Sequence, residues 1–85
     1  TKSNIQKIDN AVDKVMNLNG YTFDKEGSET RQTGVIAQEV AKVLPEAIGG
    51  DENEMTVAYG NMVGLLIEAI KEQQKEIDNL KKRLL

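Results

Sequence analysis

The 85 residues contain neither cysteine nor histidine. The first absence rules out a disulfide framework and a thiolate metal site. The second removes the usual zinc ligands and the commonest general base. No metal site and no cofactor are therefore expected. Missing cysteine fits either redox compartment. Aromatics are scarce too: Tyr21, Phe23 and Tyr59 are too few and too scattered for a base-stacking platform. There is no basic excess, since the net charge is −3 with 29% charged residues of both signs, so no nucleic-acid partner is expected. The longest apolar run, Met62 to Ile67, includes Gly64 and falls far short of the ~20 residues of a membrane span. The opening Thr1-Lys2-Ser3-Asn4 is not a signal peptide and has no initiator methionine, so the chain reads as a piece of something longer.

A chain of this length makes one domain at most, and a marginal one. It buries only roughly 60% of its unfolded surface and often needs disulfides, a metal or partner chains. With the first two excluded, partner chains remain.

Along the chain, residues 4–19 read as an amphipathic helix. Ile5, Ile8, Val12 and Val15, with Met16 beside them, fall on one face. Ser3 or Asn4 is placed to cap its start, and Asn19-Gly20 suits a left-handed exit. Tyr21-Thr22-Phe23 alternates as a strand does, Lys25 to Thr30 is a polar turn, and Arg31 to Ile36 is a return strand that Gly34 should weaken. Ile36 to Leu44 returns to helical spacing with Ile36, Val40, Val43 and Leu44 on one face. Pro45 then marks a kink or a new turn. Gly49-Gly50-Asp51-Glu52-Asn53-Glu54 reads as a loop without the liganding pattern of a calcium site, and Met55 to Tyr59 as a short strand.

From about Gly60 to Leu85 the periodicity changes. Tyr59, Val63, Leu66, Ile70, Gln73, Ile77, Leu80 and Leu84 recur at alternating steps of four and three. That is a heptad seam with Val63, Ile70, Ile77 and Leu84 at a and Tyr59, Leu66, Gln73 and Leu80 at d. The helix would be about 39 Å long, more than the preceding residues can cover while folding themselves. Glu76 at g and Lys81 at the next e are placed to bridge parallel helices. Asp78 and Lys82 form an i,i+4 pair, and Lys81, Lys82 and Arg83 suit the negative end of the helix dipole. Met62, Ile67 and Ala69 at e or g broaden the apolar face, which fits either a trimer or docking against the N-terminal half. Packing in cis as an ordinary amphipathic helix is the competing reading. Ile at a with Leu at d leans toward a dimer, and Gln73 fixes register without choosing strand number. Gly60-x-x-x-Gly64 either permits close backbone approach or leaves a frayed first turn. The expected class is α+β: a compact helix and β-hairpin head over residues 1–58, then a helix over 59–85 that forms a parallel coiled coil, its strand number left open by the seam.

No catalytic constellation is contained in the chain. Ser3 and Ser28 are its only serines, and Ser3 is explained as a cap. The order of segments adds what the residues alone do not. Lys2-Ser3-Asn4-Ile5, Leu18-Asn19-Gly20-Tyr21, Gly34-Val35-Ile36-Ala37-Gln38-Glu39-Val40, Leu44-Pro45-Glu46-Ala47, Val57-Ala58-Tyr59 and Ala69-Ile70-Lys71-Glu72 together resemble one family. It is the C-terminal intramolecular chaperone domain of endosialidases and phage tail spikes and fibres, found also in myelin regulatory factor.

The resemblance covers essentially the whole chain and implies a homotrimer that aligns three upstream chains so that their β-structure folds, then cuts itself off. In the family a Ser–Lys dyad within Ser-Asp-x-x-x-Lys does the cutting, just after the serine. Lys2 matches the lysine, while the serine would lie before Thr1, and Thr1 stands where the family often has leucine. Lysine acts as a base for a serine hydroxyl only when desolvation lowers its pKa from ~10.4. Packing of three subunits would supply that dryness to Lys2. The expected activity is thus a single-turnover endopeptidase in the precursor, with this fragment inactive. The implied partners are copies of the chain and its own upstream β-structure, in the host cytoplasm during virion assembly, followed by release from the mature virion. A permanent oligomerisation tag and the oligomerising segment of a membrane-tethered transcription factor are the other readings.

Overall fold

The computed structural model describes all 85 residues, 1–85. The elements in chain order are helix α1 (Ala11–Met16), strands β1 (Tyr21–Phe23) and β2 (Gln32–Gly34), helix α2 (Ala37–Val43), a 3-10 turn (Pro45–Ala47), strands β3 (Ile48–Asp51) and β4 (Glu54–Val57), and helix α3 (Tyr59–Arg83). The class is α+β, with two separate antiparallel hairpins, β1–β2 and β3–β4. The molecule is elongated, 56 × 36 × 20 Å, because α3 runs on past the head.

The expected helix over 4–19 shrinks to Ala11–Met16. Asn4 and Asn10 both take positive φ, 52° and 49°, which no helix interior accommodates and which asparagine tolerates better than most residues. Ser3 and Asn4 therefore cap nothing. Ile5 and Met16, placed on the buried face by spacing, are exposed, whereas Ile8, Val12 and Val15 do pack against the core. The exit is not left-handed at Asn19-Gly20 either. Asn17 and Leu18 turn their N–H groups back to the carbonyls of Lys14 and Val15, at 3.1 and 2.9 Å.

The β1–β2 hairpin forms with Tyr21 opposite Gly34. Gly34 is the last residue of β2 and leaves room for Tyr59: a Cβ there would lie 2.5 Å from the Tyr59 hydroxyl, which accepts the Val35 N–H at 3.3 Å. Pro45 begins a new turn, as the first residue of the 3-10 segment, where its missing N–H is no loss. The stretch Gly49 to Glu54 is no loop, since most of it belongs to the second hairpin, with Ile48 opposite Val57 and Asp51 opposite Glu54. Asp51 Oδ1 closes the turn by accepting the Asn53 and Glu54 N–H groups at 2.9 and 3.0 Å. Gly50, at φ +78°, passes so close to the Glu54 carbonyl that a side chain has no room. Tyr59, expected at the end of a strand as well as in the seam, starts α3.

One small core holds the head to the first half of α3. Its seven buried residues are Ala11, Val40, Leu44, Ala47, Met62, Leu65 and Ala69, and no polar or charged residue is buried. Ile36, given to the buried face of α2, is exposed.

Candidate interaction surface and N-terminal arm

Helix α3 carries two apolar stripes. Met62, Leu65 and Ala69, spaced i, i+3, i+7, form the face the head covers. Of the two readings left open for Met62 and Ala69, docking against the N-terminal half is the one observed. Glu72 continues that stripe, and its carboxylate accepts the Ala11 N–H at 2.6 Å and the Val12 N–H at 3.4 Å. These are first-turn amides of α1 without intrahelical partners, and neither α1 nor its Asn10 supplies a side-chain cap. The charged acceptor thus pins α1 to α3. Periodicity gave no hint of it, since Ala11 and Glu72 lie 61 positions apart. Leu65 was also missed, although its step from Met62 to Ala69 is a helical signal.

The second stripe is the seam, about a quarter turn round the helix from the first. Tyr59, Val63, Leu66, Ile70, Ile77, Leu80 and Leu84 are between 45% and 86% exposed, and Gln73 is exposed among them. None of the seam residues belongs to the core of the head. The stripe is apolar except at Gln73 and lies open along the helix. Ile67, on the far flank of the seam from the head, is half exposed as well.

Glu76 and Lys81 are exposed and make no ion pair within the chain. The expected Asp78–Lys82 pair is absent, because Asp78 accepts instead from the Gln74 side-chain amide at 3.0 Å. Lys81, Lys82 and Arg83 do occupy the last turn. At the start of the helix, Gly64 faces Ile8 and an added Cβ would sit at an ordinary 3.6 Å from it, while nothing approaches Gly60. The first turn is formed, so the frayed alternative does not hold.

Lys2 is exposed on the non-helical arm that precedes α1, and no hydrogen bond or ion pair joins it to the rest of the chain. The structure does not bring it to the seam. A half-buried polar cluster lies elsewhere, where the Tyr21 hydroxyl donates to Glu39 Oε2 at 2.8 Å and the Asn19 side-chain amide approaches the same carboxylate. Donation to Glu39, aided by desolvation and the carboxylate's charge, raises the Tyr21 pKa above the ordinary tyrosine value. No group of His, Cys, Asp or Glu is arranged to hold a metal ion, and no helix is long and apolar enough to cross a membrane.

A family model named Peptidase S74 and described as the chaperone of endosialidase matches residues 1–49. The chain is 37% identical to the long tail fiber protein Gp37 of Enterobacteria phage K3, over 99% of this chain and 8% of that protein. The same protein of Enterobacteria phage T2 is 37% identical, over 99% of this chain and 7% of its own length. For Salmonella phage S16 the figures are 34%, 98% and 13%. The chain therefore spans only a small part of these relatives.

Proposed function

The chain belongs to the chaperone-of-endosialidase family, and from that membership we propose that it is the intramolecular chaperone of a phage tail-fibre-like protein. It assembles as a parallel homotrimer, sets three upstream chains in register so that they fold together, and is then released by self-cleavage. The observation that carries the reading is the open seam of α3 beside a head docked on a different face. A helix whose second apolar stripe is left largely open by its own chain, touched by the head only near Tyr59 and Leu66, finds its cover in copies of itself. Glu76 at g and Lys81 at the following e, both free of intrachain ion pairs, become interchain partners.

Alignment works through effective concentration. Once three helices zip together, the upstream chains attached to them meet at the high local concentration of a short tether and in one fixed axial register. The slow, long-range pairing of intertwined β-structure then starts from a common origin instead of a diffusional search.

For the cleavage step, Lys2 is the general base of a Ser–Lys dyad whose serine precedes Thr1 in the precursor. A serine hydroxyl needs a base to take its proton, and a lysine serves once water is removed from around it. Lys2 is exposed in a single chain, so neighbouring subunits are the source of that dry environment, and cutting waits for assembly. Assembly and cleavage take place in the host cytoplasm, and the released domain leaves the virion.

Light scattering should return three times the single-chain mass of 9.4 kDa. Ile70→Asp or Ile77→Asp would place like charges in one buried layer and abolish that assembly. A mass of one chain for the unsubstituted protein, or an unchanged trimer for the Asp variants, would overturn the reading. In the precursor, Lys2→Ala should retain the uncut product. A precursor that never cuts would leave a permanent oligomerisation module.

A further inference from the structure

Resting on the parallel assembly just proposed, we infer that each head carries a socket for the neighbouring chain's Ile67, so that the subunits interlock head to helix as well as helix to helix. Between the head and the seam lies an open apolar groove of about 290 Å³, lined by Val15, Leu18, Val35, Tyr59, Met62 and Leu66. Two of these, Tyr59 and Leu66, are d residues of the seam itself, so the groove is continuous with the surface that binds the next helix. Met62 is at g.

In a parallel coiled coil the g flank of one helix abuts the e flank of its neighbour, and a g residue meets the e residue five positions further on in the partner. The rule that pairs Glu76 with Lys81 therefore pairs Met62 with Ile67. The head sits on the g flank of its own helix, through Met62 and Ala69. The e flank, where Ile67 stands half exposed, is left open. Each open e flank is thus directed at the next chain's head, where the g residue it meets forms the inner wall of the groove. Dimers and trimers share this flank geometry, so the inference holds for either strand number. The occupant is a second copy of this chain, and specifically its Ile67.

The chain has no cysteine, which permits a direct test. Chains carrying Leu18→Cys are mixed with chains carrying Ile67→Cys, reassembled and oxidised. Any 18–67 disulfide is then interchain by construction of the mixture. A third variant, Leu80→Cys, reports the seam alone, since d residues of parallel helices meet their own copies.

The expected result is a disulfide-linked pair from the mixed chains, absent when Leu18→Cys is mixed with Lys71→Cys, and a homodisulfide from Leu80→Cys. Ile67→Ser should also weaken association at least tenfold while the helical signal is kept. A Leu80→Cys homodisulfide without the 18–67 product would overturn the socket and leave the coiled coil standing. If Leu80→Cys forms no homodisulfide and light scattering gives a single chain, the parallel assembly and the socket fall together.

Discussion

Replacing Ile77 by alanine separates a helix that packs in its own chain from one that packs against copies. Ile77 is 45% exposed and lies beyond the part of α3 that the head covers. In a lone chain the change removes little buried surface, and alanine's higher helix propensity returns up to about 0.7 kcal/mol. Thermal stability should then hold or rise slightly. In a trimer the same side chain fills an a layer three times over. Truncating a buried isoleucine to alanine costs about 2 kcal/mol at the least, so about 6 kcal/mol per trimer, or roughly four orders of magnitude in the association constant. The two packings therefore predict opposite signs. Sedimentation equilibrium would measure the association constant, and circular dichroism melts over a range of concentrations would follow the coupled unfolding, whose midpoint rises with concentration only if chains associate. Lys75→Ala, at an exposed f position, is the control and should change neither. If Ile77→Ala melts at or above the parent temperature at every concentration, with unchanged mass, the seam is not an interface.

Three further outcomes concern the head. Glu72→Ala should destabilise it by about 1–2 kcal/mol in urea unfolding, because the Ala11 and Val12 amides lose their charged acceptor; Glu72→Gln should recover part of that. Gly34→Ala should push the Tyr59 ring away, lose the Val35 hydrogen bond and destabilise by about 1–3 kcal/mol; combining it with Tyr59→Phe should cost less than the two single losses added together. Tyr21 has a folded-state pKa raised above its unfolded value, so its contribution is intact below about pH 10 and is lost as pH climbs through the higher folded value. Tyr21→Phe should flatten that alkaline limb, followed by circular dichroism, and should remove a late-titrating component from the phenolate absorbance of the parent chain.

The long helix was legible in the sequence because its heptad period survives without interruption from Tyr59 to Leu84, and its observed span, Tyr59–Arg83, agrees. The β1–β2 hairpin was legible for the same kind of reason, alternation on either side of a polar turn. The helix over 4–19 was overextended because apolar spacing carries no information about backbone hand. Asn4 and Asn10 break the helix through φ alone, and asparagine inside a good hydrophobic pattern looks harmless. The second hairpin was half lost because Gly49-Gly50-Asp51-Glu52-Asn53-Glu54 has the composition of a loop. Its glycines serve a strand that bends tightly back on Glu54, and its aspartate ties the turn. The open stripe from Tyr59 to Leu84 follows from period alone. Glu72 was not, because a side chain that caps a helix far away in sequence leaves no local pattern.

A head that contributes only Ala11, Val40, Leu44 and Ala47 to the buried set is a weak folding unit by itself. Five of its partly buried apolar residues, Ile8, Val12, Val15, Leu18 and Val35, complete a core whose other half is the flank of α3. Whatever straightens and orders α3 therefore also orders the head, and association of the seams, as proposed, would raise the stability of both by mass action. Under the proposed mechanism this coupling has a consequence at the N-terminal arm. Glu72 stands next to Gln73 of the seam, and its carboxylate holds the amides of Ala11 and Val12. The arm carrying Lys2 leads directly into those residues. Zipping of the helices fixes Glu72, Glu72 fixes the start of α1, and the start of α1 limits where the arm can lie. A domain that must assemble before it cuts needs a physical connection between its interface and its N-terminal edge. Under that mechanism this carboxylate would provide one, joining the seam helix to the start of α1 across 61 positions of the chain.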